Sequence, residues 1–416
     1  MNTPEWFRID NSAMIYPMSI TLTTQSLFRL SADLKQEVNP KVLYDALLKA
    51  LERFPSFNVV LRNGVFRYFF DTNQLPPVIY EDDGILFDPI DFKKNNAYLF
   101  RITYKENRIF SDFFHGLCDG AGAMKFFNAV LMLYADINAD IGAPSENEWE
   151  DGFLKHDSKK KLTKGTISRL AGTRAYQIRG KFFGGEGYAL TEGRTDATAF
   201  KEIAKTFGVT VTALIAGAVM LAVAKNANEN DKDLLCCAIP VDLRRQFPSE
   251  TLLNFTTILR AEIDRFAVPS TLKDYAVLVD NQITSGIDKE LLQEKLNASN
   301  FFGKNVAVRL IPLCIKSFAV RLGKLFAGKT KQTMLVSNLG LVKFHDSLSS
   351  VVSGIGFNLN VSKKVPLNLA TVTSNNIVTL AFTSKLIGNT AIEKSFFEIF
   401  EGEGLKFDII TNEKRI

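Results

Sequence analysis

Phe113-Phe114-His115-Gly116-Leu117-Cys118-Asp119-Gly120 is the stretch on which the fold reading turns. Arg108 to Phe114 reads as a strand, paired with Tyr98 to Tyr104 around Lys105-Glu106-Asn107. After Asp119-Gly120 the chain becomes apolar with helical spacing to about Tyr134. A strand thus delivers a histidine to a loop, and a turn opens a helix. A histidine at such a strand end suits general-base chemistry, because an ordinary imidazole pKa of ~6.5 lets its neutral form take a proton near pH 7. The bland alternative is a packed histidine with Asp119 capping the helix, and the residues alone leave both readings open.

Upstream, Ile20 to Leu30 is strand-like. Pro40 to Phe54 has helical spacing (Val42, Leu43, Ala46, Leu47, Ala50, Leu51), with proline at the start, where its missing N–H costs least. Phe57 to Leu61 and Val65 to Phe70 flank Asn63-Gly64, which predicts a hairpin with a tight two-residue turn. Residues 1–140 therefore read as one α+β half. Residues 141–187, polar and lysine-rich, read as a crossover, and residues 188–416 as a second half. There, Thr195 to Phe207 and Val209 to Ala224 predict two helices, the second apolar all round and central to the core. Strands are expected at Leu234 to Ile239, Leu253 to Ile263, Thr333 to Ser337 and Ile377 to Phe382. Helices are expected at Leu272 to Lys295 with a break near Ser285, at Pro312 to Phe326 and at Ala391 to Phe400.

His-x-x-x-Asp-Gly at a strand-to-helix turn resembles the signature of the chloramphenicol-acetyltransferase-like superfamily, which includes condensation domains and alcohol acetyltransferases. Pro240-Val241-Asp242-Leu243-Arg244, then Asn254-Phe255, then Val336-Ser337-Asn338-Leu339-Gly340 follow in a comparable order. The nearest look-alikes are bacterial alcohol-acetyltransferase-like proteins. The resemblance implies an α/β sandwich of two such halves forming a pseudo-dimer, with a channel at their seam. It implies that His115 is the base that deprotonates an acceptor for attack on a thioester. Asp119 would fix the loop by pairing with an arginine, Arg244 or its neighbour Arg245, and Gly120 would permit the tight turn. An isolated carboxylate buried at a seam costs several kcal/mol, so Asp119 needs such a partner. Ser337 and Asn338 would help hold the oxyanion, the alternative being a strand end with turn-forming residues. The chain departs from the pattern at Phe114, where many members carry another histidine, and it has no Asp-Phe-Gly-Trp-Gly segment, so the plant branch is not supported.

Other sites carry less. Cys118 lies inside the motif, with nothing nearby in sequence to generate a thiolate, and reads as packing. His156 and His345 read as surface residues. Gly184-Gly185-Glu186-Gly187 reads as a connector and matches no phosphate-binding loop. Four cysteines, two of them adjacent, and three histidines make neither a disulfide framework nor a spaced metal set. The N-terminus lacks a signal-peptide pattern, so a cytoplasmic location is expected.

Fifty Lys and Arg against 45 Asp and Glu give +5, too mild a total to imply nucleic acid. The positive charge is segregated. Residues 158–185 carry eight basic residues and no acid, and residues 295–345 carry nine basic residues and no acid, leaving 33 basic against 45 acidic elsewhere. Such windows suit the phosphates of coenzyme A, an acidic acyl-carrier protein or anionic lipid, or else simply face water. Within Pro312 to Phe326, Lys316, Arg321 and Lys324 share one helical face opposite leucines and a phenylalanine, a pattern that can bind a donor or lie on a membrane.

The resemblance, with these readings beside it, implies an acyltransferase. It would move an acyl group from coenzyme A or a phosphopantetheine carrier to a small alcohol or amine, with no permanently bound cofactor or metal, as a monomer. The alternative is a non-catalytic relative that binds a carrier protein or anionic ligand.

Overall fold

The computed structural model describes residues 6–20, 25–158, 172–184, 187–268, 271–326, 330–344 and 346–412. The architecture is mixed α/β. Its first large sheet has the strand order Val352–Leu359, Leu27–Leu34, Arg108–Phe114, Phe100–Lys105, Ile79–Glu81, antiparallel except for the last pair. The helix Pro40–Arg53 packs with it through Leu43, Ala46, Leu47, Ala50 and Leu51. It starts where expected because Pro40 needs no donor and the Asn39 side chain accepts the amides of Lys41 and Val42, at 3.1 and 3.3 Å. A small sheet of Trp6–Arg8, Tyr68–Thr72 and Val59–Asn63 lies beside it.

The second sheet has seven strands, in the order Thr256–Ile263, Leu235–Asp242, Met334–Leu341, Leu367–Ser374, Ile377–Ser384, Ala189–Asp196, Asp408–Thr411. Met334–Leu341 runs parallel to both neighbours, and the other pairs are antiparallel. Behind the sheet, Val211–Asn226 is buried on every side from Ala213 to Val223, as its all-round apolar sequence predicts. Leu272–Gly286 packs against it, and Lys289–Lys304 follows the expected break. No single helix among the described residues is long and apolar enough to cross a membrane.

Five differences from the sequence reading stand out. The Asn63-Gly64 hairpin pairs Asn63 with Tyr68, so its loop is Gly64 to Arg67, closed by the Gly64 amide on the Arg67 carbonyl at 3.0 Å; neither Asn63 nor Gly64 takes positive φ. The first long strand starts at Leu27, later than expected, and Thr195 and Asp196 end a strand instead of starting a helix. Val352–Leu359 and Leu367–Ser374 lie almost wholly buried on both faces, which removes the alternation that betrays a strand. Most consequentially, Val352–Leu359 belongs by sequence to the second half, yet it pairs antiparallel with Leu27–Leu34 in the first sheet.

The crossover contains two short helical turns, Glu146–Trp149 and Gly152–Lys155, and buries Phe153 in a cluster with Leu243, Phe247, Phe255, Leu292 and Leu296. Lys159, Lys160, Lys161, Lys164 and Arg169 of the first basic window lie outside the described residues, as do His345 and Lys329.

Candidate functional site

His115 is held from several directions. The strand before it sits inside the first sheet, where Phe113 packs among Phe28, Phe57, Phe100 and Phe126. Asp112, fully buried, receives Arg29 at 2.7 and 2.8 Å and Arg101 at 2.8 Å. Burial alone would raise the Asp112 carboxyl pKa, but the two guanidinium groups hold it below its ordinary value, so the strand end is anchored by a charged cluster. Past Phe114, the His115 amide donates to the Ser26 carbonyl at 2.8 Å and the Leu117 amide to that of Phe114 at 2.8 Å, turning the chain out of the sheet.

The ring is half-buried. Tyr16 stacks on it at 4.6 Å between centroids, and Phe28 meets it edge-on at 5.1 Å. Nδ1 lies 3.0 Å from Asn254 Oδ1, while Asn254 Nδ2 donates back to the His115 carbonyl at 3.0 Å. The second bond fixes which end of the amide faces the ring, so Nδ1 carries the proton and Nε2 keeps the lone pair. Burial lowers the His115 pKa from its ordinary value, against opposing contributions from its own backbone, Asp119 and Asn254; the ring is neutral at pH 7.

Behind Asn254 stands a residue the sequence reading missed. Asp10 is fully buried, accepts from the Ser12 hydroxyl and from the Ala13 amide at 2.7 Å, and lies 3.5 Å from Asn254 Nδ2. Burial, then repulsion from Asp151, push its pKa up to about 7. Nothing local in Arg8-Ile9-Asp10-Asn11-Ser12 ties it to the site, since the residues that do so lie 244 positions away at Asn254 and 141 positions away at Asp151.

Asp119 faces away from the ring. Its Oδ1 caps the helix Gly120–Ala135 by accepting the Gly122 amide at 3.0 Å, and its Oδ2 accepts Arg244 at 2.8 Å and the Phe255 amide at 2.8 Å. Of the two arginines left open, Arg244 makes this contact, and it also donates to the carbonyls of Thr251 (2.9 Å) and Leu253 (2.7 Å) and to Asp242 (2.9 Å). One guanidinium thus ties the helix start to the segment 251–255 that carries Asn254. Gly120 does not take positive φ, so turn geometry does not demand glycine; a Cβ there would sit 2.7 Å from Leu339 Cδ2, the end of a side chain that can shift.

The strand Met334–Leu341 therefore ends beside the helix start. On it Ser337 is buried, whereas the Asn338 side chain donates to Thr212 Oγ1 at 3.0 Å and accepts the Gly340 amide at 2.8 Å. Lys316 and Arg321 turn toward the N-terminal segment. Lys316 donates to the Phe66 carbonyl (2.9 Å) and Arg321 to the carbonyls of Met18 (3.2 Å) and Ile20 (3.1 Å). The Lys324 side chain lies outside the described residues. Cys118 is buried, and burial pushes its thiol up well above the ordinary range. His156 is only partly exposed: it bonds the Pro248 carbonyl at 3.1 Å and stacks on Phe255, so it packs between crossover and core. Among the described residues, no cluster of three His, Cys, Asp or Glu is placed to hold a metal.

Residues 186–315 match a protein family described as the C-terminus of phthiocerol/phthiodiolone dimycocerosyl transferase. No curated protein matches the chain by sequence. Among solved structures, trichothecene 15-O-acetyltransferase from Fusarium sporotrichioides superposes with a TM-score of 0.67 at 14% identity, over 95% of this chain and 94% of that one. Polyketide synthase associated protein 5 from Mycobacterium tuberculosis gives 0.64 at 12% identity, over 94% and 96%. The first condensation domain of the calcium-dependent antibiotic synthetase gives 0.63 at 9% identity, over 96% of each chain. At such identities the likeness is one of fold. The chain shares its fold with these acetyltransferase and condensation-domain structures, and the narrower likeness to alcohol acetyltransferases is not what they single out.

Proposed function

We propose that this chain is an acyltransferase that moves an acyl group from a thioester, carried by coenzyme A or phosphopantetheine, to an alcohol or amine. The observation that carries the reading is the hold on His115. Asn254 occupies Nδ1, which leaves the basic Nε2 as the nitrogen free for chemistry, while Asp119 and Arg244 fix the helix and segment on either side. In this reading Nε2 takes the proton of the acceptor hydroxyl or amine as its oxygen or nitrogen attacks the thioester carbonyl. The tetrahedral intermediate then collapses, the carbon–sulfur bond breaks, and the imidazolium returns its proton to the thiolate. Of the two oxyanion candidates we retain Ser337, because the amide of Asn338 is bonded at both ends. Donor and acceptor would meet in a channel between the two sheets.

The test is release of free thiol from a panel of acyl-coenzyme A donors with alcohol and amine acceptors. His115→Ala should cut turnover by about 100- to 10,000-fold while keeping the far-ultraviolet circular dichroism of the parent. A folded His115→Ala protein with undiminished turnover would reject the base.

A further inference from the structure

The helical excursion that begins at residue 306 is turned inside out. On Leu313–Phe326, Leu313 and Ser317 are buried, while Ile315 is 55% and Phe318 65% exposed, with Leu322 also open to solvent. At about 100° per residue, Ile315, Phe318 and Leu322 fall within roughly 60° of one another, forming one outward apolar stripe. Leu310, 63% exposed, precedes it in the turn after Val306–Arg309. A second segment joins from the other end of the chain. The Leu313 amide donates to the Val65 carbonyl at 2.8 Å and Lys316 to that of Phe66, which fastens the hairpin loop beside the helix start. Val65 and Phe66 are themselves exposed, so two segments about 250 residues apart present apolar side chains next to each other. A soluble surface rarely leaves so much large apolar area open without an occupant.

Charge says what the occupant is. Arg8, Arg67, Arg309 and Lys316 gather here: burial and then repulsion from Arg8 and Arg309 lower the Arg67 pKa, and burial followed by Arg67 and Arg309 lowers that of Lys316. Asp151 is the carboxylate that acts against this at Arg67. The buried Nε of Arg67 has no hydrogen-bond partner, and residues 295–345 contain no acid at all. A protein partner would have to match a protruding apolar stripe with a groove and the cations with carboxylates. A bilayer supplies an apolar interior beneath a plane of phosphates with no shape requirement, and exposed cations at the start of an outward apolar stripe, here Arg8 and Arg309, are what such a surface favours.

We propose that this face, the helix Leu313–Phe326 with the preceding turn and the loop at Val65–Phe66, docks the protein on an anionic lipid bilayer. The inference stands apart from acyl transfer, although the two sites are adjacent: Leu313–Phe326 packs on the short helix Ile15–Met18, whose Tyr16 stacks on His115.

The experiment is flotation of the full chain with vesicles of phosphatidylcholine alone or mixed equally with phosphatidylglycerol. The parent protein should float with the mixed vesicles at low salt, stay behind with neutral ones, and be released as salt rises. Ile315→Ser with Phe318→Ser should lower the apparent partition coefficient by about 10-fold or more at unchanged circular dichroism. Arg8→Gln with Arg309→Gln, both exposed, should weaken the salt dependence. Failure of the parent to bind mixed vesicles, or flotation of the Ile315/Phe318 variant equal to the parent, overturns the proposal. So would a concentration-dependent dimer that the same variant disperses without any vesicle binding, or binding of an acidic acyl-carrier protein without vesicle binding. Flotation needs no turnover, so its failure is separable from failure of the acyl-transfer reading.

Discussion

His115 owes its proposed role to the nitrogen that does not react. With Asn254 accepting at Nδ1, the lone pair is fixed on Nε2, and Asn254 is oriented in turn by the His115 carbonyl and by Asp10. Asp10 has a cost that can be measured. In the folded protein it keeps its proton to about pH 7, while the unfolded chain releases it near the ordinary carboxyl value of 3.8. Between those values the folded state binds more protons, so its stability contribution is complete below pH 4 and is lost as pH rises to 7, by on the order of 1 to 4 kcal/mol. Asp10→Asn removes this slope. Urea midpoints at pH 5 and pH 8 should show the parent losing more stability than Asp10→Asn over that interval, and parallel losses would contradict the raised pKa.

Elements meet here at backbone distance. The helix Gly120–Ala135 approaches residues 251–255 so closely that a Cβ on Gly122 would lie 2.1 Å from the Leu252 carbonyl oxygen. Backbone cannot step aside as a flexible side chain can, so Gly122→Ala must separate the helix from the segment carrying Asn254. A loss of about 1 to 3 kcal/mol in urea unfolding is expected, with thiol release falling as the Asp119–Phe255 bond loosens. An alanine variant within about 0.5 kcal/mol of the parent would mean the gap can open freely. The helix Leu313–Phe326 shows the opposite relation of pattern to packing. Its amphipathic spacing is plain in the sequence, but Lys316 and Arg321 reach the backbone carbonyls of Phe66, Met18 and Ile20, so the apolar side is left outward.

At the scale of the whole molecule, chain from beyond residue 188 completes the first sheet. Val352–Leu359 fills one edge of the first sheet, and Asp33 of Leu27–Leu34 is bridged by Arg194 of the second sheet and by Arg108. Residues 1–187 made alone would leave Leu27–Leu34 with an unpaired, apolar edge, which invites aggregation. That fragment should be insoluble or lack a cooperative unfolding transition, and co-expression with residues 188–416 should recover a soluble pair. A soluble fragment 1–187 unfolding cooperatively by itself would show that the donated strand is dispensable.

Local chemistry was enough to read the strand-to-helix turn at His115, the helix Pro40–Arg53 and the buried helix Val211–Asn226, because capping and periodicity act within a few residues; the arginine partner of Asp119 was an implication of the family resemblance. Tertiary structure alone decided that the partner is Arg244 and not Arg245, that Asn254 and Asp10 stand behind the imidazole, that Gly120 lies against Leu339, and that Val352–Leu359 crosses to the other sheet. Each of these depends on groups 100 or more positions apart in the chain. Spacing along the sequence carries no record of such encounters, whose free energy comes from burial and hydrogen bonds that exist only once both segments are folded.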